Sequence, residues 1–414
     1  MKILLIKNSL PYPLRSGQDL VDYSLIRALS KKHEITLISP CKSLKDSQDA
    51  LPELQKYCSE IKTVLLPETS SFGGKLSWRL KRESDFWLKS IPLAVSDLFY
   101  EPLRKLISET VSSNKFDFAE FSFWMMGCYF EDVRPHCPTI LLQHDSNYLN
   151  FIREKKIRSY QKVSWKIRNW YTEKTGMLDY EKRLCECFDW VLFLSSADME
   201  GLNDKFDICD HTSVIPIPYI IPTESIGGKE ASDGKILFLG GMQTPYNVES
   251  IWHFKNSILP IIKAEIPEIM LSVVGNPPND SDAAQLASPH INFIGFQPDL
   301  TETFKKHQIL IAPVWIGTGI KTKIIEGLAR GMPIVSTPFG VEGMELTPEK
   351  DFLLAHTNEE FAHKVIKLLK EPALRQTISY NAHKRFKATF DFEQVSAKTL
   401  ATYESVLRSI QTTN

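Results

Sequence analysis

The stretch richest in chemistry-bearing residues is ILIAPVWIGTGIKTKIIEGLARGMPIVSTPFGVEG, residues 309–343. A β-branched run ends at Pro313 and Val314. Gly317, Thr318 and Gly319 then open a helix expected from about 320 to 330, with Gly331 stopping it and Pro333 starting the next strand. A glycine loop leading into a helix exposes several backbone N–H groups, and the positive end of the helix dipole adds to them. Lys321 and Lys323 fall in the first turn, where a cation opposes that dipole at a cost of a few tenths to ~1 kcal/mol unless an anion is bound. The conflict points to a phosphate. Glu326 lies three residues after Lys323 and seven after Gly319, so a helix would put all three on one face, with Ile320, Ile324, Ile325 and Leu328 as the buried stripe. A carboxylate one turn beyond a phosphate cradle can accept two hydrogen bonds from a vicinal diol such as a ribose. The competing reading is an ordinary Lys323–Glu326 surface pair, worth about 0.2–0.5 kcal/mol. The Gly-Thr-Gly loop favours a nucleoside diphosphate. The spacing matches neither a Walker loop nor a dinucleotide GxGxxG.

A second candidate is His144, in LLQHDSNY at the end of an expected strand over 139–143. A histidine there faces a ligand crevice more often than the core, and Asp145 either orients its ring or caps the following helix. Cys185 and Cys187 are close together, but no second Cys or His pair follows at metal spacing, and neither HExxH nor Asp-x-Asp occurs. No metal is expected. Residues 151–175 carry eight Lys/Arg against two Glu, interleaved with Trp165, Trp170 and Tyr171. Such a stretch can rest as a peripheral contact on an anionic membrane surface, or form a solvated helix over a sheet; the solvated helix is preferred.

Elements must position these groups. The 414 residues are about twice a typical domain, so two cores are expected. Net charge −1 argues against a nucleic-acid partner, and the apolar runs are far shorter than the ~20 residues of a membrane helix. Seven cysteines without a signal-peptide pattern suit a reducing cytoplasm. Strand-like runs at 2–6, 35–39, 61–66, 116–121, 139–143 and 189–194 alternate with amphipathic stretches. After a Pro- and Gly-bearing segment (215–234) the alternation restarts at 236–241, 269–275, 291–295, 309–314, 333–337 and 352–355. This predicts an α/β protein of two Rossmann-like, doubly wound parallel-sheet domains facing a central crevice. The expected boundaries are 1–222 and 223–394, with the last helix (395–414) packing back on the first domain.

Several pieces together resemble the GT-B glycosyltransferases, in particular the retaining glycosyltransferase family 4 (group 1). They are MKILLIKNSLPYPLRSGQ, FLGGMQTPYNVESIWHF, LSVVGNPP, INFIGFQPDL with Asp299, GTGIKTKIIEGLARGMPIVST and FDFEQVSAKTLATYESVL. The resemblance spans nearly the full chain. It implies that Glu326 binds the ribose of a sugar nucleotide, that Gly17 belongs to the loop near phosphates and acceptor, and that His144 lies near the reacting sugar or leaving phosphate. Gly241, Asn247, Gly317, Thr318, Gly319, Ile320 and Lys323 would form the donor site. Four positions depart from the family pattern. Thr318 stands where the first of the paired glutamates is usual, Ser16 replaces a glycine, and Gly241 and Tyr246 stand where Arg and Lys are common. Lys321 and Lys323 are expected to supply the missing charge, with Lys321, Glu326 and His144 as the catalytic set.

The expected activity is metal-independent, retaining transfer from a nucleotide sugar, without further cofactor. The acceptor would be a sugar, a lipid-linked molecule or another glycan in surface polysaccharide assembly, and the protein cytoplasmic or peripheral at the inner membrane face. The alternatives are a nucleotide-sugar epimerase of the same fold and a non-catalytic nucleotide-sugar-binding accessory protein.

Overall fold

The computed structural model describes residues 1–66, 84, 93–96, 98–154, 177–206, 208–222, 227 and 234–413. Residues 155–175 of the basic aromatic segment lie outside these. The chain divides into two compact units. Met1–Phe151, Val163–Tyr219 and Val395–Asn414 make the first; Ile152–Lys162 and Ile220–Gln394 make the second.

In the first unit the strands are β1 (Lys2–Ile6), β2 (Glu34–Cys41), β3 (Glu60–Leu65), β4 (Phe118–Ser122), β5 (Thr139–Gln143), β6 (Trp190–Phe193) and β7 (Thr212–Val214). They form one parallel sheet in the order β3-β2-β1-β4-β5-β6-β7. The second unit has β8 (Lys235–Leu239), β9 (Met270–Val274), β10 (Ile291–Gly295), β11 (Ile309–Ala312), β12 (Ile334–Ser336) and β13 (Leu353–Leu354), ordered β10-β9-β8-β11-β12-β13. Both are doubly wound sheets. The strand order reverses between β1 and β4 in one and between β8 and β11 in the other, which is where such sheets bind ligands at their strand carboxyl ends.

The strands form where continuous apolar runs can be buried on both faces. β4 and β5 are buried at every position, and β1 at all but its first. Helices then cover the faces. In the first unit Phe188 packs edge-on against Phe121 (ring centroids 5.1 Å) and beside Phe130 (4.7 Å). The last helix, Phe392–Thr413, belongs to this unit from Val395 onward and stacks Tyr403 on Phe118 at 5.7 Å. In the second unit the stretch from 245 to 265 is helical throughout but carries a π turn at Phe254–Ile258, ending two residues before Pro260, which cannot donate an α-helical hydrogen bond. β7 has no counterpart in the sequence reading, because three residues without a buried position offer no apolar run.

At the carboxyl ends of β8, β9 and β10 the backbones are joined by Gly240 N–H to the Val274 carbonyl (2.8 Å) and Gly275 N–H to the Gly295 carbonyl (3.1 Å). Gly275 has φ +144°, and a Cβ there would stand 2.5 Å from the Gly240 carbonyl oxygen. Only glycine permits this approach. Gly275→Ala is expected to destabilise the second unit by about 2–4 kcal/mol, read as an earlier transition in a urea melt; an unchanged melt would contradict the account.

Candidate functional site

In the second unit the polypeptide leaves β11 through Pro313 and Val314 and turns at Gly317 (φ +138°) and Gly319 (φ +72°). The following helix is Thr322–Ala329, with Lys321 as its N-cap. It closes by a Schellman arrangement: Gly331 N–H donates to Leu328 and Met332 N–H to Gly327, with Gly331 at φ +62°. Gly319 and Ile320 therefore precede the helix, which is shorter than expected. The shared face holds for Lys323 and Glu326 but not for Gly319, and Ile320 is half-buried rather than part of the core stripe.

The two lysines have different roles. Lys321 is buried, and its Nζ donates to the carbonyls of Thr318 (2.7 Å) and Gly319 (2.8 Å), bracing the loop from inside. Lys323 Nζ lies 4.0 Å from the centre of the Phe238 ring and donates to Asn247 Oδ1 (2.8 Å), whose Nδ2 in turn donates to the Gly241 carbonyl (3.0 Å). Gly240 is needed beneath this link, since a Cβ would come within 2.8 Å of Asn247 Nδ2. The structure thus brings Gly241, Asn247 and Lys323 together, from positions 76 residues apart in the case of the last two. Burial, with Lys321 adding like charge, lowers the Lys323 ammonium to about 7.

The Lys323–Glu326 pair does not form. Glu326 instead accepts from Arg330 Nη1 (2.8 Å), one helical turn on. Burial pushes the Glu326 carboxyl up, and Arg330 opposes that shift. Arg330 is itself almost fully buried, lies 4.9 Å from the Phe304 ring centre, and its Nε has no hydrogen-bond partner among the described residues. Sequence reasoning missed Arg330, although its i,i+4 position to Glu326 was a readable signal.

In the first unit the reversal point holds a buried ionic cluster. Lys7 Nζ, just beyond β1, contacts Asp22 Oδ1 (2.8 Å) and Glu120 Oε1 (2.7 Å), and all three side chains are buried. Tyr403 donates from its hydroxyl to Glu120. Ser122 Oγ donates to Asp22 (2.6 Å) and meets His144 Nε2 (2.8 Å), which also lies 3.4 Å from Asp22. Burial alone would raise the Asp22 carboxyl, but Lys7 and then His144 hold it well below the usual range. Burial would likewise lower Lys7; its two carboxylates overcome that and raise it.

This fixes which ring nitrogen must carry a proton. Ser122 has one hydroxyl proton and gives it to the Asp22 carboxylate, so it can only accept from His144. Nε2 is therefore protonated, and Nδ1 has no partner among the described residues. Asp22 and Ser122 orient the ring, while Asp145 accepts from Asn150 (3.0 Å). The next helix, Asn147–Glu154, is capped by Ser146 and by Glu181, which accepts from the N–H groups of Asn147 (3.2 Å) and Tyr148 (2.6 Å). Burial pushes Glu181 up to about 8. Gly17 begins the helix Gly17–Leu29, capped by the Ser16 hydroxyl, so the serine that departs from the family pattern has a structural use. Asp22 and Ser122 were not legible as partners of His144, because they come from the Gly17–Leu29 helix and from β4, both far from it in sequence.

Two consequences are measurable. Lys7→Met leaves two buried carboxylates without their counter-charge and is expected to cost about 3–5 kcal/mol in a denaturant melt; a cost below about 1 kcal/mol would contradict the cluster. For Lys323 the folded pKa lies below the ordinary amine value, so this group makes the ligand-free chain more stable as pH rises from about 7 towards 10. A bound diphosphate would draw the proton back. Nucleoside diphosphate binding near pH 8.5 is therefore expected to take up a proton and weaken with rising pH, seen by calorimetry in buffers of different ionisation enthalpy, with uptake lost in Lys323→Met.

Comparison with known proteins places these features. Residues 233–371 match the family described as Glycosyl transferases group 1. A Klebsiella pneumoniae protein, "Uncharacterized 44.6 kDa protein in cps region", is 21% identical over 95% of this chain and 97% of its own. Among solved structures, sucrose-phosphate synthase from Thermosynechococcus elongatus superposes with a TM-score of 0.73 at 18% identity, covering 99% of this chain and 100% of the other. HepE from Anabaena in complex with UDP gives 0.65 at 14% identity, covering 98% and 100%. TarM gives 0.67 at 10% identity, covering 98% of each chain. These structural likenesses establish the fold. The segment that holds Gly241, Asn247, Lys323 and Glu326 thus matches the group 1 glycosyltransferase family, and the whole chain shares the GT-B fold of these solved structures.

Proposed function

We propose that this enzyme moves a sugar from a nucleoside diphosphate sugar to a glycan or lipid-linked acceptor in surface polysaccharide assembly, with retention at the anomeric carbon and without a metal. The observation that carries the donor assignment is the half-buried Lys323 ammonium, whose partners are a neutral amide and an aromatic ring, beside a glycine turn that opens a helix. A half-buried cation with no carboxylate against it among the described residues is completed by an anion. The HepE complex with UDP supports a uridine diphosphate as the first nucleotide to test, and the cps-region relative supports the polysaccharide setting.

In this reading the bond between the anomeric carbon and the diphosphate oxygen breaks, the acceptor hydroxyl oxygen takes its place, and negative charge grows on the departing diphosphate. Lys323 and the N–H groups at the start of the Thr322–Ala329 helix stabilise that charge, preset so that little must move during the reaction. Lys321 shapes the turn rather than meeting the phosphate. Glu326, kept oriented by Arg330, accepts from the ribose hydroxyls. His144 offers its Nδ1 to a sugar hydroxyl.

Glu326→Ala is expected to reduce sugar transfer or donor hydrolysis roughly ten- to a hundredfold, the effect of losing hydrogen bonds to a charged group. A panel of uridine, guanosine and adenosine diphosphates and their sugars, followed by thermal shift and turnover, makes the check. Diphosphate stabilisation absent from the whole panel would overturn the donor assignment. Tight binding without turnover would instead favour the accessory reading.

A further inference from the structure

We propose that Phe123 is a platform for a pyranose ring in the first unit, a sugar-contacting residue held in place by backbone strain. The proposal rests on the glycosyltransferase reading for its ligand class. Phe123 has φ +77° and ψ 136°, a region that is essentially confined to glycine. Nothing in its own chemistry favours that conformation. Its backbone is held there from both sides: its N–H donates to the Leu142 carbonyl (2.9 Å) and its carbonyl accepts from Met126 (3.0 Å).

The strain has a directional result. Along a strand, successive side chains point to opposite faces, so Phe123 should point away from the side taken by Ser122. Here both meet the same imidazole. Ser122 Oγ lies 2.8 Å from His144 Nε2, and the Phe123 ring stands edge-on to His144 at 5.8 Å. The Trp124 ring is also near, its centroid 5.8 Å away and tilted by 32°. Phe123 is nonetheless only half-buried, whereas its neighbours Ser122 and Trp124 are buried. A partly exposed aromatic ring, packed on one part against the core and standing next to an imidazole, is a pairing that suits a pyranose. Its C–H face lies on the ring, and a hydroxyl meets Nδ1. The position at the carboxyl ends of β4 and β5, next to the reversal point, is where a doubly wound sheet takes its ligand.

The test uses the full-length chain and four probes: the methyl glycosides of glucose, galactose, mannose and N-acetylglucosamine, each at millimolar concentration. Saturation-transfer NMR reads their ring C–H protons, and thermal shift with UDP alone gives a separate readout. Phe123→Ala keeps the strain and removes the ring; Phe123→Gly removes both. The glycine variant is expected to melt several degrees above the alanine variant, and both to lose at least tenfold of the glycoside signal while the UDP shift stays as in wild type. Phe123→Trp is expected to retain the signal. Survival of the signal in Phe123→Gly, or no signal from any of the four glycosides with or without UDP, overturns the proposal. A Phe123-dependent signal with no diphosphate binding leaves the platform standing and removes the donor assignment instead.

Discussion

An ammonium taken out of water must find compensating charge, and the two units of this protein meet that constraint differently. Lys7 is enclosed with two carboxylates, Asp22 and Glu120, and its charge is settled by the fold alone. Among the described residues Lys323 is given the Asn247 amide and the face of Phe238, which orient it without neutralising it. The first arrangement makes a rigid support for His144. The second leaves a site whose electrostatics an anion completes, and this asymmetry separates the scaffold's charges from those available to a ligand.

Around each lysine the backbone has been shaped to bring groups close. Gly240 and Gly275 let the ends of β8 and β9 approach so tightly that Asn247 can bridge from the Gly241 carbonyl to Lys323. Lys321, drawn inward onto the carbonyls of Thr318 and Gly319, holds the turn that carries the helix N-terminus. In the first unit the opposite device operates: a phenylalanine occupies a backbone conformation that suits glycine, and its ring comes to lie on the histidine's side. Glu326 and Arg330 show the same economy of contacts, since one ion pair along a helix both orients the carboxylate and offsets part of its burial.

The retention of a glycine turn, a lysine and a glutamate on one short helix accounts for how much of the second unit could be read in advance. That information is local. Apolar runs of strand length and 3.6-residue periodicities reveal parallel sheets wound on both faces, and a cation at a helix start is conspicuous within ten residues. Reading was less secure where the local signal was weak: β7 has no buried residue, and Ile320 and Gly319 fell outside the helix because Lys321 turns its side chain back to cap the loop.

What the sequence by itself determined was the alternation of elements, the two-unit architecture to expect from it, and the residue types of the donor loop, all carried by neighbours within one or two turns. Only the tertiary structure decided which charges meet. Asp22 lies 15 residues from Lys7, Glu120 113 residues away, and the Tyr403 hydroxyl reaches Glu120 across 283. The pairing that protonates Nε2 of His144, and the one that sets Lys323 against Asn247 and Phe238, depend on strand order at the reversal points. No local pattern encodes that order, because it follows from how whole sheets bury their faces.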